Sequence, residues 1–284
     1  MKWFFNLLLC AFAGPLLFAQ SSVVFDDLEM YSEVLGQNRK YAVYLPPGYE
    51  DSQRSYPVLY LLHGWGDDQS GWIQFGEIQR IMDETLESGL STPLIVIMPD
   101  ADTQVKGYRN SVDGKWRYED FFIDELMPFV EKKYRIRAEK RFRAVAGLSM
   151  GGGGAMIYAL HHPELFSSSC PLSASLGALS WEAFLSEYKG EVRDEKRLRA
   201  YYDKYSALEW LEGMDVEKAN SVDWYIDCGD DDYLYEGNSL VHIAMKKKGI
   251  EHEYRVRDGD HTWTYWRASL YEVLRFVSDR FHQY

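Results

Sequence analysis

The segment Gly147-Leu148-Ser149-Met150-Gly151 restricts the fold of this chain more than any other stretch, because it has the form G-x-S-x-G. Arg143-Ala144-Val145-Ala146 before it has strand character, and the run that opens on Gly152-Gly153-Gly154 has helical character as far as His161. A serine on so tight a turn between a strand and a helix holds its hydroxyl clear of a sheet. Cβ atoms at 147 and 151 would collide there with neighbouring backbone. Each further glycine costs a helix about 1 kcal/mol relative to alanine unless close packing requires it. The glycine run therefore predicts a helix pressed hard against the strands. A five-residue pattern also arises by chance, so the flanking sequence has to carry the reading.

It does so by alternating strand and helix patterns. Val23 to Leu45 alternates about Gly36-Gln37-Asn38 and predicts an antiparallel hairpin. Pro57 to Leu62 and Leu94 to Met98 are near-continuous apolar runs, which suit strands buried on both faces of a mostly parallel sheet. A helical stretch from Ile78 to Glu87 joins them, giving a βαβ unit. Asp102 to Trp116 reads as a long polar loop, of the length at which loops tend to be functional. Phe122, Ile123, Leu126, Phe129 and Val130 share a helix face that Pro128 should kink. Ser167 to Leu172, Val222 to Cys228 and Glu253 to Val256 are further strands, and Asn238 to Lys248 is a helix. Trp266, Leu270, Val273, Leu274 and Val277 line one face of a terminal helix. Ser180 to Asn220 differs, being charged, rich in Trp and Tyr, and helical in pattern; it is either a small cap over the C-terminal edge of the sheet or a decorated surface. The expected fold is α/β, with a mostly parallel central sheet, helices on both faces and a small helical insertion.

With 46 % hydrophobic and 26 % charged residues, a chain of 284 residues can bury one large core. A net charge of −13, with no basic run longer than Lys246-Lys247-Lys248, excludes nucleic acid as a partner. Lys2, the apolar stretch from Trp3 to Phe18 and the small residue before Gln20-Ser21-Ser22 describe a secretory leader cut after Ala19. That apolar stretch is broken by Gly14-Pro15 and falls short of the roughly 20 residues of a bilayer span. The organisation expected is a leader over 1–19 and one domain over 20–284, periplasmic or extracellular, with no stable membrane insertion after processing. Cys170 and Cys228 lie in apolar runs and read as buried small hydrophobes, not as a disulfide framework.

A serine hydroxyl becomes a useful nucleophile only when a histidine takes its proton and a carboxylate holds that histidine. Late in the chain, each after a strand, stand the acidic turn Asp230-Asp231-Asp232 and the loop Asp258-Gly259-Asp260-His261. The order serine, acid, histidine is that of α/β-hydrolases. His63 precedes the serine between apolar and glycine residues and fits a structural place; His161 and His162 end a helix away from the strand tips, and His242 and His252 lack a turn context. His261 is the expected base, while pattern alone leaves the acid open among the three aspartates. No oxygen ligands at regular loop spacing accompany that turn, so neither a metal nor a cofactor is expected.

These residues resemble a known family. Tyr44-Leu45-Pro46-Pro47-Gly48-Tyr49, Tyr56 to Gly64, Tyr118-Glu119-Asp120, Gly147 to Gly152, Cys228-Gly229 with Asp232 and Asn238, and His261-Thr262-Trp263 with Tyr265-Trp266 are similar to the esterase D-like family of α/β-hydrolases. That family includes the feruloyl and acetylxylan esterases of carbohydrate esterase family 1, and the resemblance runs from about Val34 to the C-terminus. It implies Ser149 as nucleophile, Asp232 as the acid and His261 as general base. The oxyanion hole is expected from the backbone N–H groups of Met150 and Trp65. Trp72, Tyr108, Trp116, Tyr233, Tyr235 and Trp263 are aromatic candidates for substrate binding. The implied activity is an exported serine carboxylesterase that removes feruloyl or acetyl esters from plant-wall xylan, with a small-molecule or polysaccharide ester as its partner. Alternatives are an acyltransferase, an S-formylglutathione hydrolase-like or enterochelin esterase-like enzyme, and a non-catalytic carbohydrate-binding descendant, which would have no need to retain the three residues together.

Overall fold

A computed structural model of the chain describes residues 21–104 and 106–282, so the expected leader at 1–19 lies outside the described residues. The elements in order are β1 (Val23–Ser32), β2 (Gln37–Leu45), β3 (Val58–Leu62), α1 (Gly71–Gln74), α2 (Ile78–Glu87), β4 (Ile95–Pro99), α3 (Tyr118–Asp120) and α4 (Met127–Lys133). There follow β5 (Arg143–Leu148), α5 (Met150–His161), β6 (Ser168–Leu172), α6 (Trp181–Glu187), α7 (Glu195–Tyr205), α8 (Ala207–Gly213) and α9 (Val216–Ala219). The chain ends with β7 (Asp223–Gly229), α10 (Tyr235–Lys248), β8 (Glu253–Arg257) and α11 (Trp263–His282).

The strands form one eight-stranded sheet in the order β1-β2-β4-β3-β5-β6-β7-β8. β1 and β2 are antiparallel to each other, and β2 is antiparallel to β4; from β4 onward all pairs are parallel. The alternation of side chains sorts β3 between two cores. Val58, Tyr60 and Leu62 face one side with Phe122, Val130, Ile157 and Val241, while Leu59 and Leu61 face the other with Ile81, Met82, Leu270 and Val277. Helices α4, α5 and α10 therefore cover the first face, and α2 and α11 the second. Cys170 and Cys228 are free and buried, and burial raises both thiols above their usual range. No helix among the described residues is long and apolar enough to cross a membrane.

Two expectations change in detail. The perturbation expected at Pro128 takes a specific form: the backbone winds as a π-helix over Phe121–Leu126, with the Met127 N–H donating to the Phe122 carbonyl, and continues into α4. The wider turn just before the proline accommodates the residue that lacks an N–H. The insertion is both of the things considered for it. Its first part, around Tyr188 and Tyr201, walls a cavity near the elbow, whereas α8 lies on the helical layer, with Trp210 Nε1 donating to the Leu160 carbonyl at 3.1 Å.

Candidate active site

The elbow is built as its glycines require. Ser149 has φ +52°, a left-handed value that a side chain adopts only where surrounding structure holds it. Its N–H donates to the Leu172 carbonyl at 2.9 Å, and its own carbonyl accepts from Gly153 at 3.0 Å and from Ser175 at 2.8 Å. A Cβ at Gly147 would stand 2.6 Å from Gly151 backbone, and one at Gly151 would meet the Leu62 carbonyl oxygen at 2.5 Å. Helix α5 thus packs its first turn directly on backbone at the ends of β3 and β6, and Ser149 stands at the C-terminal edge of β5, only 7 % exposed.

Asp232 and His261 arrive from the loops that follow β7 and β8. The Ser149 hydroxyl lies 3.0 Å from His261 Nε2, and His261 Nδ1 lies 2.8 Å from Asp232 Oδ2. With Nδ1–H donating to the carboxylate, Nε2 is left free to accept the serine proton. The three adjacent aspartates have separate places. Asp230 Oδ1 accepts the Gly259 N–H at 3.0 Å, and the Asp231 N–H donates to the Gly259 carbonyl at 3.1 Å, so these two tie the turn to the histidine loop. Only the Asp232 side chain turns inward. The carboxylates of Asp230, Asp231 and Asp258 converge in an exposed acidic group outside that line.

Burial pushes the Asp232 carboxyl up, but hydrogen bonds from His261, from the Leu234 N–H at 2.8 Å and from the Ser173 hydroxyl outweigh it and hold the group below the usual carboxylate value. Ser173 is a residue that sequence reasoning passed over. Its hydroxyl accepts from Trp266 Nε1 at 3.0 Å, and the Trp266 ring stands edge-on to His261 with centroids 4.8 Å apart. Nothing in Leu172-Ser173-Ala174 announces that role. A buried group around Asp227 supports the same loops: Arg257 pairs with it at 2.6 Å, and the Tyr225 and Tyr265 hydroxyls both donate to it.

Trp65 follows Gly64, whose backbone runs against the elbow: a Cβ there would stand 2.6 Å from Leu148 Cδ1 and 3.6 Å from Ser149 Cβ. Thr103 Oγ1 donates to the Gly64 carbonyl at 2.8 Å, and His63 braces the same loop, Nδ1 donating to the Gly64 carbonyl and Nε2 accepting from the Ala101 N–H. The Trp65 side chain is 66 % exposed. The other histidines lie elsewhere: His161 pairs with Glu119 at 2.5 Å, and His242 with His252 at 2.7 Å.

The aromatic candidates divide. Trp72 is fully buried, donates to the Leu62 carbonyl and packs against Trp263, so it offers no ring surface to a ligand and is part of the core. Trp263 is packed between Trp72 and Trp266. Tyr108 and Trp116 touch the cavity near the elbow but are buried, at 2 % and 4 % exposure, with their polar atoms used on the carbonyls of His63 and Gly107, so they belong mainly to the packed interior. Tyr233 is exposed, with its ring 4.6 Å from that of His261, and Tyr235 is exposed at the start of α10.

Comparison with known proteins agrees with this architecture. Residues 32–277 match the model of the family described as "Putative esterase". An endo-1,4-beta-xylanase/feruloyl esterase of Xylanibacter ruminicola is 32 % identical over 257 residues, covering 88 % of this chain and 30 % of that protein. An esterase of Mycobacterium tuberculosis is 39 % identical over 141 residues, covering 49 % of this chain and 29 % of its own length. The chain thus spans about a third of the length of these curated relatives. A solved ferulic acid esterase superimposes with a TM-score of 0.81 at 34 % identity, over 92 % of this chain and 99 % of that one. With the eight-stranded, mostly parallel sheet and a family match across most of its length, the chain belongs to this esterase family of the α/β-hydrolase fold.

Proposed function

We propose that the chain is a serine carboxylic-ester hydrolase with Ser149 as nucleophile, His261 as general base and Asp232 as its orienting acid. The observation that carries this is the continuous line from Asp232 Oδ2 through His261 to Ser149 Oγ, at 2.8 and 3.0 Å. Ser149 Oγ attacks the ester carbonyl carbon while His261 Nε2 takes its proton. The oxygen of the tetrahedral intermediate falls to the N–H groups of Met150 and Trp65; a donor of this kind is worth about 3 kcal/mol in transition-state stabilisation. His261 then returns the proton to the leaving alcohol. Water, deprotonated by the same nitrogen, attacks the acyl-serine, and the acid departs.

The substrate class favoured is a feruloyl or acetyl ester on plant-wall xylan. The support is similarity to a xylanase/feruloyl esterase and to a solved ferulic acid esterase. Export through the leader at 1–19 fits a polymeric substrate outside the cell. The test is hydrolysis of methyl ferulate and 4-nitrophenyl acetate by wild type and Ser149→Ala. Turnover of the ferulate at least 10³-fold above the alanine variant is expected. Turnover of the acetate alone would redirect the reading to small acyl groups, and equal rates in the two proteins would overturn it.

A further inference from the structure

The cavity along the first turn of α5 has a volume of about 620 Å³ and reaches Met150, the residue after the nucleophile, without being lined by Ser149 or His261. Met150 and Ser175 close the end next to the elbow: Met150 follows the serine, and the Ser175 N–H donates to the Ser149 carbonyl at 2.8 Å. The loop that ends at Trp116 forms one wall, and Tyr188 and Tyr201 of the insertion form another.

Arg109 lines this cavity, packed closely against Gly177 and in ordinary contact range of Gly153, whose lack of a side chain is required by the Ser175 carbonyl. A Cβ at Gly177, where φ is +79°, would come within 3.0 Å of Arg109 Nη1, and one at Gly153 would lie 3.8 Å from Nη2. Gly153 belongs to the glycine run of α5, so the guanidinium reaches the first turn of the helix that the nucleophile opens. Its hydrogen bond to protein runs from Nη2 to the Leu176 carbonyl at 3.1 Å, and no carboxylate among the described residues pairs with it. Lys106 lines the same cavity, with its Nζ 5.7 Å from the centre of the Trp116 ring and likewise no carboxylate partner among the described residues. Lys115 is different, since Asp113 lies 3.5 Å from its Nζ. Glu191, at the exposed rim, is the remaining anion of the lining.

A half-buried guanidinium with no carboxylate partner among the described residues, with the exposed Lys106 on the same cavity one residue from the nucleophile, runs against the net charge of −13 that the chain carries. A guanidinium presents a planar fork of donors matched to a carboxylate, and one hydrogen bond to a carbonyl leaves most of that fork open. We infer that Arg109, assisted by Lys106, recognises a carboxylate carried by the ester substrate, so that acidic esters, such as acylated saccharides bearing a uronic acid, are preferred over neutral ones. The inference rests on the serine esterase reading and deepens it. The carboxylate belongs to either the acyl or the alcohol half of the ester, and the experiment separates the two.

Two matched pairs are assayed for kcat/KM at low ionic strength. Mono-4-nitrophenyl glutarate and its methyl ester carry or mask the charge on the acyl side; 4-acetoxybenzoate and its methyl ester do so on the alcohol side. The readout is the ratio of acidic to neutral substrate within each pair, so an overall change in rate or in folded fraction cancels. Wild type is expected to prefer the acidic member of one pair. Arg109→Gln should lower that ratio about tenfold or more, as loss of a charge-assisted hydrogen bond does, and Arg109→Lys should restore part of it. Salt should narrow the wild-type preference. A wild-type ratio at or below one in both pairs, or a ratio that survives Arg109→Gln, overturns the inference while leaving turnover by Ser149 intact. Turnover equal in wild type and Ser149→Ala for all four esters overturns the esterase reading and the inference together.

Discussion

Replacing Asp232 by asparagine keeps the shape of the side chain and removes only its charge, so it isolates what the carboxylate does to His261. In the wild type Oδ1 accepts the Leu234 N–H at 2.8 Å and Oδ2 accepts from His261 Nδ1 at 2.8 Å. An asparagine has one oxygen, and the Leu234 N–H claims it. The amide NH₂ is then turned toward His261 Nδ1, where a donor already stands. The imidazole relieves the clash of two donors by moving its proton to Nε2, the nitrogen that faces Ser149 Oγ at 3.0 Å. In that tautomer it cannot accept the serine proton. The loss expected in kcat is about 10³ to 10⁴, with KM changed far less, because the interaction matters in the transition state. Stability should fall by only about 1.5 to 3 kcal/mol, the worth of a hydrogen bond to a charged group. The assay is steady-state hydrolysis of 4-nitrophenyl acetate beside a thermal melt of the same preparation. A kcat within tenfold of wild type, in a variant that melts cooperatively, would refute the tautomer argument and remove Asp232 from the relay.

Two further outcomes follow from the packing. Gly151→Ala places a methyl group 2.5 Å from the Leu62 carbonyl oxygen and 2.6 Å from that of His63, both backbone atoms of the strand end and the loop beside Ser149. Destabilisation of about 3 kcal/mol or more is expected, read as the midpoint of urea unfolding, and a midpoint equal to wild type would show that the elbow has slack. Glu119 is buried; burial raises its carboxyl, but bonds from His161, His162 and Tyr205 outweigh this and hold it well below its ordinary 4.5. A carboxyl with a depressed folded-state value stabilises the fold in full above 4.5 and progressively less as pH falls below it. Glu119→Gln should therefore cost about 3 kcal/mol at pH 7, and the gap in melting temperature from wild type should close on acidification below about pH 4.5. A gap that stays constant from pH 7 to pH 3 would refute the assignment.

Much of this architecture was legible in residue order because local rules and tertiary packing agree. Ile78–Glu87 and the apolar face of the terminal helix appear where the helical period puts them, and Leu59 and Leu61 alternate with Val58, Tyr60 and Leu62 between two cores as a doubly covered strand must. Position in the chain, strand end by strand end, also brings Ser149, Asp232 and His261 to one edge of a parallel sheet. The elbow could be read for the same reason: glycine at 147 and 151 is required by backbone a few residues away, and such short-range steric demands are written directly in the sequence.

Contacts between segments far apart in the chain carry no such local mark. Asp230, Asp231 and Asp232 are chemically identical, and their division into two loop ties and one inward carboxylate is set by Gly259 and His261, almost thirty residues later. Trp72 looks like any loop aromatic until α1 is packed under Trp263. The pairing of Ser173 with Trp266 spans the end of β6 and α11, and the place of Arg109 is set by Gly177 and the Leu176 carbonyl, which no periodicity connects to it. What the order of residues determined is the set of strands, helices and tight turns, since those follow from sterics and hydrophobic period over a few neighbours. Which side chain faces the nucleophile, which braces a loop and which cation stands without a carboxylate partner among the described residues was decided only when the sheet brought distant loops to the same edge, because burial, charge partners and hydrogen-bond geometry exist only there.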